Sequence, residues 1–199
     1  MKEFHTMKTF KLALMVALTF LLTSCSVNNI PTYQEEAKAK WAQVENQYQR
    51  RADLIPNLVS TVKGYAAHER DTLEAVVLAR AKATSMTLSG DDLTPELMEQ
   101  YQANQNALSS ALSKLMVVVE KYPDLKADQN FLALQSQLEG TENRISVARR
   151  DYIEAVRIYN TELETYPGKI WHALLYRDYK PEPVFTAPEG STKAPEVKF

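Results

Sequence analysis

From Phe131 to Leu163 the sequence places Leu134, Leu138, Ile145, Ala148, Tyr152, Val156 and Tyr159 at steps of mostly three, four or seven residues, with no proline to interrupt them. This is the period of one helix face, not the alternation of a strand. At 1.5 Å per residue the helix it predicts, ending before Tyr166-Pro167-Gly168, is on the order of 55 Å long. A rod of that length cannot bury its apolar stripe on itself, so it needs neighbours along its whole length. The chain has 199 residues, only five glycines and few strand-like alternations, so those neighbours are expected to be helices too.

The spacing predicts three of them. The first starts at Thr32, where Thr32 and Glu35 have capping-box spacing, and carries Tyr33, Ala37, Trp41, Val44 and Tyr48. Between Arg51 and Pro56 the chain must turn or kink, because proline lacks an amide hydrogen and restricts the residue before it; a turn is expected. A second helix then carries Ile55, Leu58, Val62, Ala66, Leu73, Val76 and Val77 on one face and stops near Ser89-Gly90. Gly64 inside it costs about 1 kcal/mol relative to alanine, which predicts a close helix approach there. Thr94 and Pro95 have the chemistry of a cap and a first helical residue. They open a third helix with Leu97, Tyr101, Leu108, Leu112, Leu115, Met116 and Val119, broken at Tyr122-Pro123. Asp124 or Asp128 can cap the fourth and longest. The fold class predicted is all-α, an antiparallel up-and-down four-helix bundle with shallow crossing angles. No sequence repeat of solenoid length is evident.

The amino end carries an address. Lys2, Lys8 and Lys11 precede an apolar run from Leu12 to Leu22, followed by Thr23, Ser24 and Cys25. About a dozen apolar residues are too few for a spanning helix, which needs roughly 20, and fit a lipoprotein signal. Residues 1–24 are then a signal peptide, Cys25 the lipidated residue, 25–31 a tether, 32–179 the helical domain and 180–199 an extended tail. Acyl chains contribute roughly 0.8 kcal/mol per buried methylene, enough to hold a domain on a membrane. The alternative is a short uncleaved anchor. Ser26 after the cysteine favours the outer membrane, where the organism has one. With the only cysteine spent on lipid, no thiol remains for a disulfide, so stability must come from an apolar core.

Loss of the signal removes three of 23 basic and one of 25 acidic residues, moving the formal charge from −2 to −4. A mildly acidic, mixed surface offers no basic stripe, so nucleic acid is not an expected partner. His68-Glu69 begins like a zinc-protease helix, but the position four residues on is Thr72, so one helix face cannot supply two histidine ligands. His172 lies in a short amphipathic piece, Ile170 to Leu175, expected to fold against the helices. There is no GxSxG, phosphate loop or Cys/His cluster. No catalytic residue, metal or cofactor is expected, and the chain reads as a non-enzyme.

The run Gln49-Arg50-Arg51-Ala52-Asp53-Leu54-Ile55-Pro56-Asn57-Leu58-Val59, continuing through Thr61 to Tyr65, His68-Glu69, Leu73 to Val76 and Ala79 to Ala81, resembles the LemA family. Glu142-Asn143-Arg144-Ile145, Ala148-Arg149-Arg150, Tyr152, Tyr159-Asn160 and Tyr166-Pro167 match it again, as do Pro183-Val184-Phe185 and Ala194 to Phe199. The resemblance covers roughly residues 32–199. It implies a helical bundle and a membrane-attached protein of the bacterial envelope, generally without an assigned activity. Many members keep a transmembrane helix where this chain has a cleavable signal.

Within that signature Arg50, Arg51 and Asp53 are expected to form an ion-paired cluster beside the turn, with Asp53 as a helix cap; the alternative is a partner-docking patch. Pro181, Pro183, Pro188 and Pro195 set the tail apart as non-helical. Its apolar residues Val184, Phe185, Val197 and Phe199 are expected to lie along the chain's own helices. Alternatively Val197-Lys198-Phe199 adds as a strand to a PDZ-type groove of an envelope protease or scaffold. Two function classes follow: an envelope interaction or scaffold module, and a binding module for a lipid or cell-wall fragment held near Trp41 or Trp171.

Overall fold

The chain does not turn at Pro56. The computed structural model describes residues 26–88, 90 and 93–185, and in it helix α1 spans Asn29–Tyr65 with Pro56 inside. A proline in a helix interior costs about 3 kcal/mol, partly through the carbonyl it strands four residues back. Here that carbonyl belongs to Ala52, and Arg80 Nε donates to it at 2.7 Å. Ile55 and Leu58, on either side of the proline, are fully buried, and each such side chain is worth about 1.5–3 kcal/mol. Together these outweigh the proline, so the helix continues. It also starts earlier than Thr32. The amide of Thr32 is already inside the helix, donating to Asn28 O at 3.1 Å, so no capping box forms with Glu35.

The break falls instead at Ala66 to Glu69, and the turn holds His68-Glu69. Helix α2, Arg70–Thr84, restarts the phase, burying Leu73 and Val76 while Val77 faces out. Gly64 packs against nothing, because a Cβ added there meets no atom within 4 Å. Helix α3, Pro95–Val119, begins as expected, with the Thr94 side chain accepting from the amide of Leu97 at 3.2 Å. A single turn, α4 at Pro123–Lys126, precedes α5, Gln129–Glu164. Asp128 rather than Asp124 caps α5, accepting from the amide of Phe131 at 2.8 Å. At 36 residues α5 is about 54 Å long. A short α6, Gly168–Leu174, completes the set. Among the described residues there is no strand.

Cross-contacts fix the directions. Asn29 Nδ2 donates to Glu162 Oε1 at 3.1 Å and Tyr65 OH to Asp128 Oδ2 at 3.0 Å, so α1 and α5 lie antiparallel along their lengths. From Tyr65 the chain returns along α1, bringing Arg80 to Ala52 and Leu88 to Glu45. Helix α3 then runs back along α2, from Gln105 beside Ala83 to Tyr122 beside Glu69. The core has three sections. One end holds Leu58, Val62, Leu115, Leu125 and Phe131. The middle is aromatic, with Trp41, Tyr48, Tyr101 and Tyr152. Ile30, Tyr159 and Leu163 close the other end.

The tail lies on this body as far as it is described. Tyr159 OH donates to Lys180 O and Tyr152 OH to Pro183 O, both at 2.9 Å, and the Asn160 amide makes a reciprocal pair with the Glu182 backbone. Phe185 ends buried against Trp41 and Tyr152, with the Arg149 guanidinium 4.3 Å above its ring. Cys25, Val197 and Phe199 lie outside the described residues.

Candidate functional site

Successive helical residues point about 100° apart, so Arg50, Arg51 and Asp53 cannot share a face once α1 runs through them. Arg51 turns inward and is 1% exposed, while Arg50 and Asp53 face solvent. The expected ion-paired cluster is therefore absent. Asp53 caps nothing, being mid-helix, and accepts from Gln49 Nε2 at 2.7 Å. Arg51 likewise cannot belong to a surface docking patch.

What Arg51 does is join helices. Its Nη1 donates to Glu142 Oε1 of α5 at 2.8 Å and to Ser109 Oγ of α3 at 2.7 Å. Its Nη2 donates to Gln105 Oε1 of α3 at 2.6 Å, and Gln105 Nε2 in turn donates to Ala83 O of α2 at 3.1 Å. The guanidinium also lies 5.1 Å from the Tyr48 ring centre. One α1 side chain is thus bonded directly to α3 and α5, and to α2 through Gln105. A buried charge is tolerated only when paired and hydrogen-bonded, so this network fixes the relative positions of α1, α3 and α5. Glu142 was visible in the sequence as part of a motif, but its role, and those of Gln105 and Ser109, needed the fold.

Trp41 does not line a ligand site. Its indole N–H donates to Leu88 O at 2.7 Å, and its ring is packed by Tyr101, Tyr152 and Phe185 at centroid distances of 5.5, 5.3 and 5.9 Å. The place where a ligand was expected is filled by the chain's own tail. Burial pushes the hydroxyls of Tyr101 and Tyr152 well above the usual phenol range. Beside this centre a cavity of about 200 Å³ is lined by Glu45, Tyr48, Thr84, Tyr101 and Gln105, below the roughly 300–1,000 Å³ of small-molecule sites. Burial also raises the Glu45 carboxyl above its ordinary value, the Leu88 amide partly offsetting this.

A larger groove of about 590 Å³ opens between α3 and α5, with Leu112, Met116 and Leu138 as its apolar part and Ser113, Glu139 and Asn143 among its polar lining. The remaining candidates separate. His68 is exposed in the α1–α2 turn, and His172 is folded in, its Nε2 2.9 Å from Tyr179 O. Among the described residues no three His, Cys, Asp or Glu side chains gather as metal ligands, and no helix is long and apolar enough to cross a membrane. Trp171 is half-buried and donates to Ser26 Oγ at 3.1 Å, joining α6 to the start of the described chain.

Known proteins give these features a family. The chain is similar to magnetosome protein MamQ 2 of Paramagnetospirillum magneticum, 26% identical over 166 residues, covering 75% of this chain and 60% of that protein. It is 25% identical over 173 residues to magnetosome protein MamQ of Magnetospirillum gryphiswaldense, covering 78% and 63%. With protein LemA of Metamycoplasma hominis it shares 24% identity over 140 residues, covering 70% and 60%. The chain therefore spans about 60% of the length of the curated relatives it matches. The LemA family profile matches residues 40–199, a span that takes in the Arg51 network and the docked tail. The protein belongs to the LemA family.

Proposed function

We propose that this protein is a membrane-tethered, non-enzymatic module of the bacterial envelope that acts by holding another protein. In this reading residues 1–24 are removed, Cys25 carries lipid, and the four longest helices close as an up-and-down antiparallel bundle facing the periplasm or cell exterior. The observation that carries the reading is that Arg51 and Trp41, the side chains best suited to chemistry or ligand capture, are consumed in holding the chain's own helices and tail together. What remains for a partner is surface: the outward pair Arg50 and Asp53, and the carboxyl end at Val197 to Phe199, which suits a PDZ-type groove.

A photocrosslinker placed in turn at Arg50, Asp53 and Lys198 of the full-length protein in cells tests this, with mass spectrometry of the amino-terminal peptide run in parallel. Adducts to one defined envelope protein, together with an acylated Cys25 peptide, are expected. An acylated protein giving no adduct from Arg50, Asp53 or the carboxyl end would refute the docking role. A second reading, a lipid or cell-wall fragment as ligand, is favoured by the volume of the α3–α5 groove, which falls within the range of small-molecule sites. Titration of the purified chain with lipid extract and with muropeptides, read at the Leu112 and Leu138 methyl resonances, separates the two.

A further inference from the structure

We infer that α6 is a membrane-contact face, seated on the lipid surface beside the amino-terminal anchor. The inference rests on the reading above that residues up to Cys25 lie at a membrane. The tether is far shorter than the sequence suggested. Helix α1 begins at Asn29, and Trp171 bonds to Ser26, the residue directly after Cys25. Tyr176 OH also reaches Asn28 Oδ1 at 3.4 Å. A single extended residue reaches about 3.5 Å, so through the Ser26 side chain and this bond the Trp171 indole of α6 stays within roughly 10 Å of Cys25.

The surface presented there is apolar. Tyr166 is 77% exposed, Leu174 63%, Leu175 60% and Ile170 45%. Ile170 and Leu174 are one helical turn apart and so share a face, and Leu175, just past the helix end, is exposed too. The opposite side, Gly168, Trp171 and His172, packs onto the helical body. A polar protein gains nothing by exposing four large apolar side chains within ten residues unless something covers them. The proximity of Cys25 identifies the cover as lipid, because a short two-faced helix with its apolar side outward fits the headgroup boundary. Charges at this end are mixed: Lys169, Arg177 and Lys180 against Glu162, Glu164 and Asp178, with Lys169 Nζ already 3.9 Å from Glu164. Seating therefore depends on apolar contact and only weakly on anionic lipid.

The test uses the full-length acylated chain in phosphatidylethanolamine–phosphatidylglycerol vesicles containing a brominated lipid. An environment-sensitive fluorophore goes on Leu174→Cys or, as control, on Val117→Cys, which is 68% exposed near the far end of α3. Quenching at position 174 is expected to exceed that at 117 by about threefold or more, and to fall to the control level when Ile170→Asp and Leu175→Asp are added. Equal quenching at both positions on protein that floats with vesicles overturns the inference and leaves the tether reading standing. Fluorophore self-quenching at 174 without lipid quenching assigns the face to a second copy and overturns it too. Failure to float, with no acyl mass on Cys25, overturns the tether and this inference together.

Discussion

Replacing Arg80 by methionine isolates the device that carries α1 through Pro56. Methionine keeps most of the apolar stem and removes the donor. The Ala52 carbonyl, on a residue only 2% exposed, then loses its 2.7 Å partner with little water to replace it. A buried acceptor left unpaired costs about 1–3 kcal/mol, so Arg80→Met is expected to destabilise by ~2 kcal/mol. For a domain of this size that is a melting shift of roughly 4–8 °C. The discriminating measurement is the same substitution in a Pro56→Ala background. Alanine restores an amide hydrogen that donates to Ala52 O, so the arginine becomes largely redundant and its loss should cost about 0.5 kcal/mol. Urea unfolding followed by helical circular dichroism on the four proteins gives the coupling, expected near 1.5 kcal/mol. A coupling below about 0.3 kcal/mol, with Arg80→Met equally costly in both backgrounds, would show that the arginine does not serve the proline's stranded carbonyl.

Arg51→Met removes the link between α1, α3 and α5 and leaves Glu142 and Gln105 without their cation. It should cost about 3–5 kcal/mol, against roughly 1–2 for Glu142→Gln, whose carboxylate is half exposed, both read from urea midpoints. Gly140 lies inside α5 with nothing within 4 Å of an added Cβ, so Gly140→Ala is expected to stabilise by about 1 kcal/mol; a lower melting temperature would mean that something does approach there. Glu45 binds its proton more tightly folded than unfolded, because burial raises its carboxyl above 4.5. Its charge thus weakens the fold at pH above the raised value, and the penalty fades as pH falls through that value toward the ordinary one. Glu45→Gln should therefore raise the urea midpoint at neutral pH and give no gain in acid, and a gain of equal size at both would refute the burial argument.

Much of the fold was legible because period and punctuation agree. The α5 stripe needed no correction, since a long run of three- and four-residue steps ending at Tyr166-Pro167 has one economical reading. Thr94-Pro95 marked the start of α3 for the same reason: a cap followed by a residue that needs no amide partner. Pro56 misled because its cost is local while its compensation is not. Arg80 lies 24 residues away, and no window around the proline contains it. The error then propagated, turning Asp53 into a cap and the α1–α2 break into helix. Gly64 misled differently, since an economical packing reason was sought for a residue that meets empty space.

Arg51 shows where a finer reading of the same sequence would have succeeded. Trp41, Val44, Tyr48, Arg51, Ile55, Leu58 and Val62 keep an unbroken alternation of three- and four-residue steps, and every one of them is buried. A charged residue in register with an apolar stripe faces inward, and an inward guanidinium demands acceptors from the neighbouring helices. Gln105 keeps the same register on α3, between Tyr101 and Leu108, and Glu142 stands beside the α5 stripe between Leu138 and Ile145. Register thus picks out Arg51, Gln105 and Glu142 but not Ser109, and only the antiparallel pairing of α1 with α5 brings Glu142 to the level of Arg51. The tail follows the same logic. Val184 and Phe185 could be read as surface-seeking, but that Phe185 enters the aromatic centre depends on Tyr152 and Tyr159 offering hydroxyls about two helical turns apart to the backbone leading to it. Because those hydroxyls hold the tail in place, Phe185 sits beside Arg149 on α5, about 22 Å along that helix from its α6 end.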